Sequence, residues 1–318
     1  MHPPPRSPNP TPARFLPSVR DPVSSLWHRL RKGTRIVRRE PDWDRLAGED
    51  WPDRVMDLDV TDRLHRKQGR SIGRLILSQG RSRLGVYLKR HYRLSWWRGV
   101  LATLFPNRAW SPGLEEWQRL CGARDAGFPV PRAVAAGQFV GPWFRLQGFL
   151  AVEELYGMLP LHEAVPLAAA RLDPVTFARW KRGLTAELAR LARRLHDQSW
   201  FHKDLYFCHF YIPDDLTRRV PDGWADRVFM IDLHRLGRHP VAAAWFRVKD
   251  LAQLLFSSEV TGVTARDRLR FWKLYRAGGR GSWFTPLIRV KWWQYRRHNR
   301  RRSAGVSASA SASAREAA

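Results

Sequence analysis

The chain has 318 residues, 44% of them hydrophobic, and carries 56 Lys and Arg against 29 Asp and Glu for a formal charge of +27. That is apolar material enough for two lobes with a core each, which excludes a wholly disordered chain. No apolar run reaches the ~18 residues of a membrane-spanning helix. The charge calls for an anionic partner: nucleic acid, an anionic membrane, a phosphorylated glycan or an acidic protein.

Residues 1–22 are Pro-rich and polar and predict disorder. Prolines stand where a signal peptide has its apolar stretch, so the expectation is a cytoplasmic protein, free to lie on a membrane. Cys121 and Cys208, with no CxxC and no zinc spacing, fit a reduced, intracellular protein. Residues 23–54 read as a basic N-terminal extension. In residues 55–152, Arg74 to Ser78 and Leu84 to Lys89 predict a hairpin joined by QGRSR. Pro112 to Ala126 read as a helix, and Phe139 to Val152 as strand interrupted by Gly141-Pro142 and Gly148.

Residues 153–288 are mostly helical. The clearest helix runs from about Pro174 to Ser199, with Asp173 to cap it and Pro174 suited to its first turn. Phe177, Trp180, Leu184, Leu188, Leu191 and Leu195 recur at steps of three and four and predict one buried stripe. Residues 289–318 hold a basic aromatic segment, RVKWWQYRRHNRRR, followed by a Ser/Ala tail that predicts disorder. Strands first and helices second give an α+β class.

The chemistry concentrates after the long helix. His202-Lys203-Asp204 opens a loop that continues to His209, and Asp232 ends the short apolar run Met230-Ile231. One acid in a loop and one ending a strand suit phosphoryl transfer. The first takes the proton of the attacking hydroxyl, and the second holds Mg²⁺ against the phosphates. Lys89 ends the strand Val86-Tyr87-Leu88-Lys89, in place for gripping phosphates. Glu115 and Glu116 begin the following helix, and either can pair with it. Gly69 and Gly73 lie before the first strand, where backbone amides can fold over phosphates. Read alone, each of these has a plain alternative: a turn, a solvated strand end, a helix start favoured by acids. His196 and His234 read as structural.

In this order (glycine loop, strand lysine, helix glutamate, loop Asp, metal Asp) the chain resembles a protein kinase. More narrowly, HKDLYFCHF, IDLHR, VYLKRHYR and KDLAQLLFSS are similar to the bacterial lipopolysaccharide core kinase family, the Kdo/heptose kinases, over roughly residues 60–275. The resemblance implies a bilobal protein-kinase-like fold, with a small, mainly β N-lobe and a larger, mainly helical C-lobe. It implies ATP and Mg²⁺ as cofactors, with ATP between the lobes. Asp204 is then the catalytic acid/base and Asp232 the metal ligand. Lys89 binds phosphates, Glu116 holds Lys89, Asp250 braces the catalytic loop and His202 packs beneath it. The acceptor implied is a heptose or Kdo hydroxyl of the lipopolysaccharide core or its lipid-anchored precursor.

The chain departs from the kinase pattern in four places. His209 occupies the position of an Asn metal ligand, and a hard oxygen suits Mg²⁺ better than imidazole. Leu233-His234 follows the metal Asp in place of Phe-Gly. The glycine spacing is incomplete, and Tyr87 is large for a residue beside adenine. These departures favour a sugar acceptor over a protein. The rival expectations are a kinase for another small-molecule or protein hydroxyl, and an inactive module binding an acidic partner such as acyl carrier protein. His91 to Trp110, where Trp and Arg alternate, suits an anionic membrane surface, so a peripheral place on the cytoplasmic face of the inner membrane is expected. The basic tail from Arg296 to Arg302 reads as an electrostatic anchor or a solvated stretch; it could bind nucleic acid nonspecifically, since phosphate attraction does not distinguish a duplex from lipid headgroups, but nucleic acid is not the partner expected.

Overall fold

Strand β4, Ser82–His91, buries Leu84, Val86, Leu88 and Arg90 in strict alternation with less buried neighbours, the period-two pattern of a strand with one covered face. The computed structural model containing it describes residues 25–59, 61–67, 69–277 and 284–299. The expectations for residues 1–22 and for the Ser/Ala tail therefore lie outside the described residues. The chain divides into two units, Met1–Trp117 with Ala133–Glu154, and Gln118–Arg132 with Leu155–Ala318.

The first unit is built on one antiparallel sheet of order β1-β5-β6-β4-β3-β2. Its strands are β1 Thr34–Arg39, β2 Thr61–Lys67, β3 Arg70–Gln79, β4, β5 Ala133–Val140 and β6 Leu146–Glu153. The expected hairpin is β3–β4, paired from Arg70↔His91 to Gln79↔Ser82. Gly80, at φ 57°, takes the left-handed turn position where its missing Cβ avoids strain. Gly148 does not interrupt β6 but pairs within it, opposite His91 and Gln138.

Residues 34–54, set apart by sequence as an extension, belong to this unit's core. β1 pairs with β5. Trp43 on α2 (Pro41–Ala47) and Trp51 on α3 (Trp51–Arg54) meet edge to face at 5.5 Å. They pack with Val55, Val86, Leu88, Val134 and Phe149. Burying an indole is among the largest apolar contributions a residue makes, about 3–5 kcal/mol by truncation. Arg90 fastens the same segment: buried, it donates to the carbonyls of Met56 (3.0 Å) and Leu58 (2.7 Å) and to Ser71 Oγ (3.2 Å). A buried guanidinium is tolerable only with such partners.

The second unit is mainly helical: α6 Leu161–Arg171, α7 Pro174–Asp197, α8 Ala243–Ser257, α9 Ala265–Tyr275 and α10 over residues 285–299. The Asp173 carboxylate accepts from the amides of Val175 and Thr176 and caps α7. Trp180, Leu184, Leu188, Leu191 and Leu195 are buried as the periodicity requires, whereas Phe177, in the helix's first turn, is only partly buried; Arg179, Arg182, Arg190 and Arg193 face solvent. Trp180 also donates to the Leu216 carbonyl at 2.7 Å, satisfying its indole N–H. The basic segment expected from Arg289 to Arg302 lies on α10 as far as residue 299, its last three residues being outside the described ones, and there Trp292 donates to Glu259 at 2.8 Å and Tyr295 packs on Phe256.

Candidate active site

In the first unit, Lys89 points to the face opposite Leu88, and its Nζ donates to Glu116 Oε1 at 2.7 Å. Glu116 lies on α5, Pro112–Asp125. The two side chains are only 16% and 6% exposed, so the pair is set before any ligand arrives. Glu115, the other candidate, faces Arg98 at 3.7 Å. Successive helix residues project about 100° apart, so only one of two adjacent glutamates can reach the strand.

The glycines fall differently from the loop expected of them. Gly69, at φ 72°, lies in the tight turn before β3. Gly73 is inside β3, paired with Leu88, one step from the pairing of Ile72 with Lys89. Pairing runs through Arg70, which leaves no long arch between the strands.

In the second unit, α7 ends at Asp197 and β8, Trp200–Phe201, leads into the loop His202–His209. Asp250 on α8 holds that loop, accepting from the amides of His202 (2.9 Å) and Lys203 (2.8 Å). Completely buried, it is charge-compatible only because these donors and His196 at 3.4 Å surround it. Two further residues on the same helix face, missed in the sequence, complete the clamp. Gln253 accepts from the Leu205 amide at 3.1 Å and donates to the Lys203 carbonyl at 3.2 Å, and Ser257 Oγ accepts from the Phe207 amide at 2.8 Å. The signal for them is a stripe of hydrogen-bonding residues at positions 250, 253 and 257, spaced to share one face of the helix.

His202 is buried beneath the loop and ties it to the metal-side segment by a 3.0 Å bond from Nε2 to the Ile231 carbonyl. Burial lowers its pKa, against Asp250, and keeps the ring neutral. Lys203 (φ 65°) and Asp232 (φ 61°) both hold left-handed backbone conformations. Such strain in non-glycine residues gathers at functional sites.

Asp204 is held by Arg235, whose Nη1 stands 3.2 Å from Oδ2 and 3.3 Å from Oδ1. Asp232 accepts from His234 Nδ1 at 2.7 Å and faces His209 Nε2 at 3.8 Å. His209 donates its Nδ1–H to the Asp204 carbonyl at 2.7 Å, which turns Nε2 to the Asp232 side. Burial opposes the charged form of His209, but Cys208, the Asp204 carbonyl and Asp232 outweigh it and its pKa lies above the ordinary value. Cations surround Asp204. Burial lowers the pKa of both Lys203 and Lys249, with Arg235 and, for Lys203, Arg119 adding to it.

Among the described residues no three His, Cys, Asp or Glu side chains gather to hold a metal by themselves. Mg²⁺ bound with a nucleotide does not require that: it takes one or two carboxylates and completes its shell with phosphate oxygens and water. Asp232, with His209 beside it, fits that donor set.

A sequence model described as the lipopolysaccharide kinase (Kdo/WaaP) family matches residues 60–275. The chain is 31% identical over 191 residues to the lipopolysaccharide core heptose(I) kinase WaaP of Pseudomonas aeruginosa, covering 60% of this chain and 69% of that protein. It is also 31% identical over 192 residues to the enzyme of that name from Escherichia coli K12, covering 58% and 69%. A solved structure of WaaP in complex with acyl carrier protein matches at a TM-score of 0.57 and 27% identity, over 76% of this chain and 88% of that one.

Proposed function

Since this chain belongs to the lipopolysaccharide kinase (Kdo/WaaP) family, we propose that it transfers the γ-phosphoryl group of ATP to a sugar hydroxyl, heptose or Kdo, of the lipopolysaccharide inner core. The observation that carries the reading is the clamp on the catalytic loop. Asp250, Gln253 and Ser257 take the backbone amides of His202, Lys203, Leu205 and Phe207 and leave the Asp204 carboxylate with Arg235 and one long contact from Gln253 at 3.5 Å.

Asp204 accepts the proton of the sugar hydroxyl as that oxygen attacks the γ-phosphorus and the bond to the β-phosphate oxygen breaks. Arg235 orients Asp204, and Lys203 and Lys249 offset the charge of the anions brought to it. Lys89, steadied by Glu116, takes the α- and β-phosphates. Asp232 and His209 would hold Mg²⁺, which when bound would neutralise charge on the phosphate oxygens. Of the two glycines only Gly69, in the turn before β3, is left to offer its backbone on the phosphate side.

The acceptor is anchored in lipid, so this reading puts the enzyme on the cytoplasmic face of the inner membrane. No helix among the described residues is long and apolar enough to cross a membrane. The excess of basic residues, and the acyl carrier protein bound to the solved relative, also support that acidic protein as a companion.

Purified protein, Mg²⁺, labelled ATP and dephosphorylated lipopolysaccharide test the reaction. Label should enter the glycan, and Asp204→Asn should lower turnover at least a thousandfold with the thermal midpoint unchanged. Wild-type turnover in that variant would remove Asp204 from the mechanism. Nucleotide binding without transfer to any sugar would replace the kinase by an inactive binding module.

A further inference from the structure

Three separate segments of the first unit form one platform. Helix α1, Leu26–Lys32, is tied to helix α4, Trp96–Leu104, by Arg29, which donates to the Thr103 carbonyl at 2.7 Å. Gly99 of α4 lies against the turn Pro142–Phe144: a Cβ there would stand 1.9 Å from the Phe144 carbonyl oxygen. Only the middle segment carries a Trp/Arg pattern marked enough to be read from sequence. The fold supplies the other two.

What this platform turns outward is aromatic. Trp27 is 64% exposed, Trp96 73%, Trp97 50%, Phe105 52% and Trp143 70%, with Leu26 beside them at 44%. Exposed apolar residues are ordinary when scattered; gathered on adjoining elements they mark a binding surface. Trp143 (φ 57°) and Phe144 (φ 66°) are both left-handed. Two bulky residues in succession in that region are strained, and here the strain holds an indole out in solvent.

The charge around the aromatics has one sign. Residues 25–39, 91–110 and 139–148 contain ten Lys or Arg and no Asp or Glu. Arg98 is engaged by Glu115 and Arg35 by Asp53. Arg31, Lys32, Arg93, Arg108 and Arg145 form no ion pair among the described residues. Beside the Trp143 turn lies a groove of about 620 Å³ whose lining includes His28, Lys32, Arg35 and Arg145 and no acid.

We propose that this face docks on an anionic lipid bilayer, its indole and phenyl rings entering the headgroup boundary while Lys32 and Arg145 take a lipid phosphate in the groove. Trp is the residue of the membrane–water boundary, and unpaired cations add attraction to an anionic surface. A protein partner would present hydrogen-bonding groups of both kinds at its rim; three segments that carry no carboxylate of their own, with acids only at Arg35 and Arg98, suit a uniform sheet of phosphates. The lipid-anchored acceptor of the proposed reaction gives this surface its purpose, but the binding is tested with no acceptor present.

Full-length protein is sedimented with vesicles of phosphatidylcholine alone and with a quarter phosphatidylglycerol. The protein should partition at least tenfold more strongly to the anionic vesicles, and 0.5 M NaCl should weaken this. The variants Trp96→Ser/Trp97→Ser/Trp143→Ser and Lys32→Glu/Arg145→Glu should each cut the partition about tenfold. In both, circular dichroism and transfer to detergent-dispersed acceptor should remain as in the wild type. Equal binding to the two vesicle types would overturn the proposal, as would binding that both variants leave intact. Displacement from vesicles by millimolar inorganic phosphate would make the groove a free-phosphate site, and displacement by acyl carrier protein would make the face a protein interface; either result overturns the membrane assignment. If no protein, wild type included, transfers phosphate while vesicle binding behaves as expected, the reaction class fails and the docking surface stands.

Discussion

Lys89 and Glu116 close on each other with little of either side chain exposed, whereas Asp204 and Asp232 are held by Arg235 and His234, themselves half in solvent. In the first unit one ion pair therefore serves both stability and function. In the second the two tasks are largely divided: Asp250, Gln253 and Ser257 hold the loop from beneath, Gln253 also reaching Asp204 at 3.5 Å, and the carboxylates assigned to chemistry keep Arg235 and His234 as partners that an incoming ligand can displace. A buried pair broken on one side leaves a stranded charge. An exposed one loses little. The two regions should consequently answer substitution in different ways.

The sharpest way to break this comparison is Asp250→Ala. It leaves two loop amides without their acceptor, at a cost of about 3–4 kcal/mol, and should abolish turnover as the loop loses its shape. Denaturant unfolding of the variant beside Asp204→Asn reads the contrast. Equal stability of the two would mean that α8 does not carry the loop.

Next in size is Lys89→Met. It strands Glu116 and should cost about 2–3 kcal/mol, with turnover lowered at least a hundredfold. Adding Glu116→Gln should restore most of the stability and none of the activity. Recovery of activity in the double variant would show that Lys89 has no part beyond charge balance.

The smallest effect concerns pH. His91, next to the lysine strand's end, has its pKa lowered to about 4, chiefly by burial and then by Arg70, Lys89 and Arg98. Between pH 4 and about 6.5 the unfolded chain binds a proton there that the folded chain refuses. The related stability is therefore complete above about 6.5 and is lost as the pH falls toward 4. The ring is partly exposed, so about 2 kcal/mol is the expected size. His91→Gln should flatten the acid limb of a stability–pH curve by that amount, and a parallel curve would refute the assignment.

The α7 helix is legible in the sequence because its stripe of Trp180, Leu184, Leu188, Leu191 and Leu195 repeats over successive turns behind a capping Asp173. The reactive acids are legible because a loop that must present a carboxylate after a helix leaves an unusual local string, His202-Lys203-Asp204. The clamp is half hidden. Asp250 stands out as the one acid of α8, but Gln253 and Ser257 have value only once their spacing is laid on the face that meets the loop. Residues 34–54 escape the sequence reading for a different reason. Their buried members, Trp43 and Trp51, are isolated among charges, and the strand before them alternates Arg with Ile and Val on a sheet edge. Gly73 misleads because pairing, rather than composition, decides whether a glycine bends a chain or continues a strand.

Among the described residues strand β1 finds its only neighbour in β5, with Thr34 opposite Val140. Roughly a hundred residues separate the two along the chain, so on a ribosome β1 emerges long before anything can pair with it. In that interval its backbone is an open edge, the kind that recruits other chains. Arg35, Arg38 and Arg39 keep it from doing so: repulsion between like charges guards the strand until its partner has been made.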